Sequence, residues 1–361
     1  MIQRGMPLLP TFSLRRRWVL VHCFLLSWVW QAAVLARDLE IFWVDVEGGA
    51  ATLIVTPAGE SVLVDTGMPG GRDPGRIVAV ATNLAKLKRI DHLVTTHMHI
   101  DHFGGAAEVA AALPIGHVHD NGIPDRDPDG NTSNASFPLT IKPYREMKVD
   151  RRSVLQPGDQ ILEKSSLGTG RPITLRCIGG KQRFIAARTT TPNPVCSNAE
   201  TKTPDTSDNA NSLVLVLEHG DFRLFIGGDL TWNVEANLAC PADLVGRVSV
   251  YQVTHHGMDI SNNPVLVRSL APVVAIMSNG TSKGCGPSTV KTLLSLPSLK
   301  ALYQIHQNLR EDREANTRPE WIANLEKNCT ANPIALKVAP DTKTFTVSIP
   351  AKGHSAAYPS R

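Results

Sequence analysis

Cysteine pairs at C-x-x-C spacing are missing from this 361-residue chain, which argues against a structural zinc knuckle. Beyond position 36 the cysteines are Cys177, Cys196, Cys240, Cys285 and Cys329. In an oxidising compartment these allow one or two disulfides with a thiol left over. Cys177 with Cys196 would close a local loop, but spacing leaves the pairing open. An apolar run long enough to cross a bilayer is also missing: Trp18 to Trp30 is roughly 13 residues, against the ~20 required. No internal repeat and no linker-like stretch divides the chain, so one large domain is expected.

A surplus of positive charge is missing once the first segment is set aside. The whole chain carries 37 basic and 33 acidic residues. Four of the basic ones, Arg4, Arg15, Arg16 and Arg17, lie in residues 1–36, which hold no acidic residue, so the remainder balances at 33 of each. With no basic, aromatic-studded segment either, bulk charge does not recruit nucleic acid or an anionic membrane.

The first segment itself has a pattern. Arg15-Arg16-Arg17, the apolar run and Ala32-Ala33-Val34-Leu35-Ala36 follow one another as the charged, hydrophobic and cleavage regions of a signal peptide. Residues 1–36 are therefore expected to be removed after Ala36, giving a secreted or periplasmic protein with no stable membrane span. A domain over 37–350 and a flexible tail at 351–361 are expected to remain.

Across that domain, apolar stretches of strand length end in small or acidic residues. Glu40 to Val46, Ala51 to Val55, Ser61 to Val64, Ile90 to Thr95 and Ile115 to His119 read as strands, with helices near Arg76 to Lys88 and Gly105 to Leu113. Residues 121–211, rich in Asp, Asn, Pro, Thr and Gly, read as a loop-rich insert with short strands near Gln160 to Leu162 and Ile173 to Cys177. Strands then resume at Ser212 to Glu218, Phe222 to Ile226, Val248 to Thr254, Val273 to Ser278, Ala335 to Val338 and Thr344 to Ile349.

The strand from Ile90 runs directly into His97-Met98-His99-Ile100-Asp101-His102-Phe103-Gly104-Gly105. Four metal-capable side chains in six positions would be costly to bury unpaired, and imidazole with carboxylate suits Zn²⁺ or a similar divalent ion. Asp65, Asp229 and His256 share that setting, an apolar strand end beside glycine: Val64-Asp65-Thr66-Gly67, Gly227-Gly228-Asp229 and Thr254-His255-His256-Gly257. Each alone could be only a turn former. Together they describe ligands gathered at strand ends.

These features, with Val44-Asp45-Val46-Glu47-Gly48-Gly49 and Asn211-Ser212-Leu213-Val214-Leu215, resemble the metallo-β-lactamase-fold hydrolases. More narrowly, they are similar to the soluble domain of ComEC-type DNA-uptake (competence) proteins. The resemblance covers Leu39 to about Ile349 apart from the insert. It implies an α/β fold, a four-layer αβ/βα sandwich of two mixed sheets with outer helices. It also implies that His97 and His99 bind a first metal, that Asp101, His102 and His256 serve a second, and that Asp229 bridges. Asp65 would hold the metal loop from behind. One or two Zn²⁺ ions are implied, Mn²⁺ being compatible with the same donors. The implied reaction is hydrolysis by a metal-activated water, with Asp101 and Asp229 as the catalytic carboxylates.

Two departures qualify the resemblance. No third first-site histidine precedes Asp229, since Asn209-Ala210-Asn211 stands there. His119 is the candidate to replace it, and His255 is the lesser candidate of the adjacent pair. Gly286 stands where the DNA-uptake branch has histidine before Pro287, and Cys285 beside it reads as a buried or disulfide-bonded residue. Among weaker signals, Asp125, Asp127 and Asp129 match the opening of a calcium loop, but Ser136 occupies the twelfth position, so Ca²⁺ is not expected there. Trp232 reads as a packing residue, while His306 ends a late strand and could face the cleft.

The expected activity is exported, zinc-dependent hydrolysis of a small or polymeric phosphodiester, with nucleic acid as a substrate unsupported by net charge. The alternatives are a lactonase or β-lactamase-like hydrolase, and a non-catalytic metal-binding scaffold.

Overall fold

Short runs of valine, isoleucine and leucine with no exposed face fill the centre of the protein. Ser61–Val64, Val250–Gln252 and Val274–Met277 are buried at every position. Strands hidden on both faces are what parallel sheets with outer helices demand. The computed structural model describes residues 1–2, 38–164, 171–187 and 191–361. The expected signal peptide at 1–36 lies, apart from residues 1–2, outside the described residues.

Two mixed sheets result. The nine-stranded sheet runs, edge to edge, His354–Pro359, Thr344–Ile349, Ile334–Val338, Leu39–Trp43, Thr52–Val55, Ser61–Val64, Ile90–Val94, Ile115–Asp120 and Arg151–Val154. Its last four strands are parallel. The eight-stranded sheet runs Ile322–Asn324, Ala301–His306, Val274–Met277, Val250–Gln252, Phe222–Ile226, Val214–His219, Ile173–Gly180 and Arg183–Phe184. There the parallel part extends from Phe222–Ile226 to Ile322–Asn324.

One apolar core lies between the sheets, with Trp43, Ile54, Leu215, Leu224 and Ile276 among its members. A second core joins the outer face of the nine-stranded sheet to helices Arg72–Ala79, Ala106–Ala112 and Phe137–Glu146. A third joins the other sheet to helices Trp232–Ala239, Pro264–Leu270 and Pro287–Leu294. The layers are therefore helix, sheet, sheet, helix, as expected from the sequence. Gln252 ties the sheets together, its Oε1 accepting from Trp43 Nε1 at 2.8 Å and from Thr52 Oγ1 at 2.9 Å.

The structure corrects three expectations. Residues 121–211 hold a helix that was not expected, Phe137–Glu146, which buries Phe137, Ile141 and Tyr144, while the strand expected near Ile173 to Cys177 is present as Ile173–Gly180 within the second sheet. Residues 354–359 are not a flexible tail. They pair along Thr344–Ile349, and Tyr358 Oη meets Tyr303 Oη at 2.8 Å. Cys196 bonds to Cys240 rather than to Cys177, which the core encloses as a free thiol. Among the described residues no helix is long and apolar enough to cross a membrane.

Candidate metal centre

Parallel strands deliver their loops at their carboxyl ends, and in open α/β sheets that is where ligands bind. Asp65 follows Ser61–Val64, the 97–102 loop follows Ile90–Val94, and Asp229 follows Phe222–Ile226. His256 follows Val250–Gln252, and Lys283 follows Val274–Met277. The two sheets thus converge on one rim. The backbone is bent to serve it: Asp65, His255 and His256 all hold left-handed φ values of 61°, 52° and 55°. Non-glycine residues in that region carry strain that the surroundings must sustain. Gly284 shows why the neighbouring loop needs glycine, since at φ +81° a Cβ would sit 2.1 Å from His256 O.

Asp101, His102, Asp229 and His256 each offer one donor atom within 4.8 Å of the others. The Nε2 atoms of His102 and His256 both lie 3.2 Å from Asp229 Oδ2, and 3.6 Å and 3.5 Å from Asp101 Oδ2. Donors around a tetrahedral zinc ion at the usual bond lengths are roughly 3.3 Å apart. Both Nε2 atoms are buried without a hydrogen-bond partner. Their rear nitrogens are anchored: His102 Nδ1 lies 2.8 Å from Asp65 Oδ2, and His256 Nδ1 lies 3.0 Å from Ser278 O. A carbonyl can only accept, so His256 carries its proton on Nδ1 and turns a lone pair inward. Orphaned inward nitrogens with carboxylate or carbonyl partners behind them are the arrangement of metal-ligating histidines. The donor set fits a divalent ion.

Charge in this pocket is dominated by carboxylates. Burial alone would depress the His102 imidazole, but Asp229, Asp101 and Asp65 push it well above the ordinary histidine range. Burial likewise opposes ionisation of Asp229, and the facing imidazoles of His102, His256 and His255 hold it well below the usual carboxylate range. His255, beside the quartet, keeps Nδ1 2.9 Å from Ser261 Oγ, and burial pushes it down to about 4.

His97 Nε2 and His99 Nδ1 face each other at 3.1 Å. His99 Nε2 lies 2.9 Å from Asp129 Oδ1, and this assigns Asp129 a different place from the calcium-loop reading. Asp125 pairs instead with Arg145 on the surface, and Asp127 with Asn134, so the three carboxylates do not converge. His119 does not complete the His97–His99 pair. Its Nε2 is turned to His92 Nδ1 at 3.1 Å, within a separate group of histidines. Among the described residues His97 and His99 belong to no group of three converging donors, although the His102 ring centroid lies 4.1 Å from that of His97.

Sequence reasoning missed Lys283. Its Nζ lies 2.5 Å from Asp101 Oδ2, with the side chain 38% exposed at the rim. Its only signal was a lone cation between Gly280 and Gly284 after a strand. His306 is buried and pairs with buried Asp45 at 2.6 Å. Cys285 is a buried free thiol, pushed up to about 12 by burial. Trp232 is buried and donates from Nε1 to Glu200 O at 2.8 Å.

Comparison with known proteins follows the same lines. A family model described as the metallo-beta-lactamase superfamily matches residues 44–152. The chain is 24% identical over 248 residues to Recombination protein 2 of Haemophilus influenzae, covering 67% of this chain and 24% of that protein. It therefore spans about a quarter of that relative's length. Similar solved structures include CmlA, a diiron beta-hydroxylase from Streptomyces venezuelae, at 15% identity and a TM-score of 0.39, covering 68% of this chain and 46% of that one. Another is a metallo-beta-lactamase with an HARLDQ motif from Cronobacter sakazakii, at 17% identity and a TM-score of 0.38, covering 58% of this chain and 76% of that one. Residues 44–152 thus match the metallo-beta-lactamase superfamily model, and the arrangement of two mixed sheets with outer helices agrees with that fold.

Proposed function

We propose that the protein is an exported zinc-dependent phosphodiesterase. The observation that carries the proposal is the quartet of Asp101, His102, Asp229 and His256, with two orphaned imidazole nitrogens aimed at one carboxylate oxygen. Those residues would hold one ion, and His97 with His99 would contribute to a second, less completely furnished position. When bound, a divalent ion of this kind acidifies water and draws off charge that develops on the substrate.

The chain's own residues supply the rest. Asp229 sets the spacing of the two imidazoles, and Asp65 fixes the orientation of His102. Burial opposes ionisation of Asp101, and His102, His256 and Lys283 together hold it well below the usual carboxylate range. The same ammonium, partly exposed at the rim, gives an anionic substrate oxygen a place to bind. The name of the Haemophilus relative points to recombination, and phosphodiesters are the linkage of nucleic acid. The balanced charge beyond residue 36 favours a small or surface-polymer diester as the substrate over long DNA. Export rests on the pattern of residues 1–36, and zinc on the imidazole-rich donor set.

The test is one panel assay: bis-p-nitrophenyl phosphate, a lactone and a chromogenic cephalosporin, each offered to zinc-loaded wild type and to Asp229→Ala. Turnover of the diester alone, lost in the variant, is the expected result. Preferential turnover of the lactone or the cephalosporin would replace the phosphodiesterase reading.

A further inference from the structure

We infer that the protein has a second divalent-cation site, formed by His92, His117 and His119 at the edge of the nine-stranded sheet. The sheet register places the three together. His92 lies opposite His117 on the neighbouring parallel strand, and His119 follows two positions on, opposite Ser153. Side chains two apart share a face, so all three imidazoles project to one side. That side is the inner one, because Val62 and Val94, in register with His92 and His119, belong to the core between the sheets. His92 and His119 are buried, and His117 is half-buried.

Their hydrogen bonds are arranged as around a metal. His92 Nε2 lies 2.9 Å from Glu60 Oε1, and Glu60 is itself held by the backbone amides of Glu163 and Lys164. A carboxylate fixed in that way takes the Nε2 proton and leaves Nδ1 as a lone pair. On the other flank Ser153 Oγ serves two rings at once, 2.8 Å from His117 Nε2 and 3.1 Å from His119 Nδ1. The inward atoms, His92 Nδ1 and His119 Nε2, are 3.1 Å apart. That equals the separation of His97 Nε2 and His99 Nδ1 in the centre already described.

The Ser153 hydroxyl can donate to His119 Nδ1 while accepting from His117 Nε2, which leaves His117 Nδ1 buried with no partner. A lone pair hidden from water and from every donor is unfavourable, and a cation relieves it. One donor nitrogen from each of the three rings lies within 4.8 Å of the other two. Three imidazoles with no thiolate favour zinc or a neighbouring first-row ion.

This inference stands apart from the phosphodiesterase reading, and its test dismantles the other centre first. His97→Ala/Asp229→Ala protein is stripped with EDTA and titrated with Co²⁺, then Zn²⁺. The expected result is one Co²⁺ per chain with the intense visible bands of low-coordinate cobalt, displaced by zinc. X-ray absorption of the zinc form should give an N/O shell with scattering from three imidazoles. Affinity should fall by more than ~10-fold in His117→Gln. It should fall by about 10- to 100-fold in Glu60→Gln, the loss typical of an outer carboxylate partner. Each added variant is checked for folding by circular dichroism, and the absorption spectrum needs neither of them. No tightly held Co²⁺ or Zn²⁺, or binding indifferent to both substitutions, would overturn the inference.

Discussion

Lys283 Nζ and Asp101 Oδ2 meet at 2.5 Å although 182 positions separate them in the chain. One comes from the rim of the eight-stranded sheet and the other from the loop that ends a strand of the nine-stranded sheet, so the contact forms only when both sheets are in place. A cation on the catalytic side of a carboxylate can do two jobs: balance that carboxylate and bind an anion. Lys283→Gln should lower kcat/KM for bis-p-nitrophenyl phosphate by about 10- to 100-fold, the span expected for a lost hydrogen bond to a charged group. Zinc content should be unchanged. Unaltered kcat/KM would leave Lys283 as a charge balance for Asp101 only.

Asp65 controls His102 from behind. Its Oδ2 lies 2.8 Å from His102 Nδ1, and its Oδ1 accepts from Thr96 N at 2.8 Å. Asp65→Asn keeps the shape but can no longer enforce the tautomer that points a lone pair into the quartet. Zinc affinity, read by competition with a chromophoric chelator, should drop by about 10- to 100-fold. Full retention of affinity would mean that packing alone orients the ring.

Glu235 sets a pH dependence of stability away from the metal ligands. Burial pushes its carboxyl up to about 7 from an ordinary 4.5, against opposing hydrogen bonds from Asn263 and Asn262 and the attraction of Lys202; Tyr251 packs nearby. Below pH 4.5 the group is protonated in both folded and unfolded chains and exerts no bias. Between 4.5 and about 7 the unfolded chain ionises first, so stability falls as pH rises, and the loss is complete above about 7. Glu235→Gln should flatten that part of the stability curve in urea melts taken from pH 4 to 8. An identical slope in both proteins would contradict the assignment.

How much of this could be read in advance depended on how local each signal was. The 97–102 loop was legible because its donors are contiguous and a buried strand leads into them. Asp229 and His256 were legible because an apolar strand ending beside glycine marks a strand-end loop. Lys283 was not, because one lysine among 37 basic residues acquires meaning only from the distant Asp101. His92 stands on one strand and His117 and His119 on the next, and only parallel register joins them. His119 was for that reason assigned to the wrong neighbours. The edge strand His354–Pro359 has few large apolar residues, and its order comes from the backbone ladder and the Tyr358 hydroxyl. Cys196 found Cys240 across a helix end that spacing does not reveal.

The central claim is that the Asp101, His102, Asp229 and His256 quartet binds a divalent ion on which diester hydrolysis depends. Its most direct measurement is bis-p-nitrophenyl phosphate turnover by wild type and Asp229→Ala, each stripped of metal, reloaded with Zn²⁺ and analysed for zinc per chain. The account predicts that wild type regains activity with zinc, and that Asp229→Ala holds at least one zinc fewer and hydrolyses no diester. Equal zinc content with equal turnover in the two proteins would contradict it.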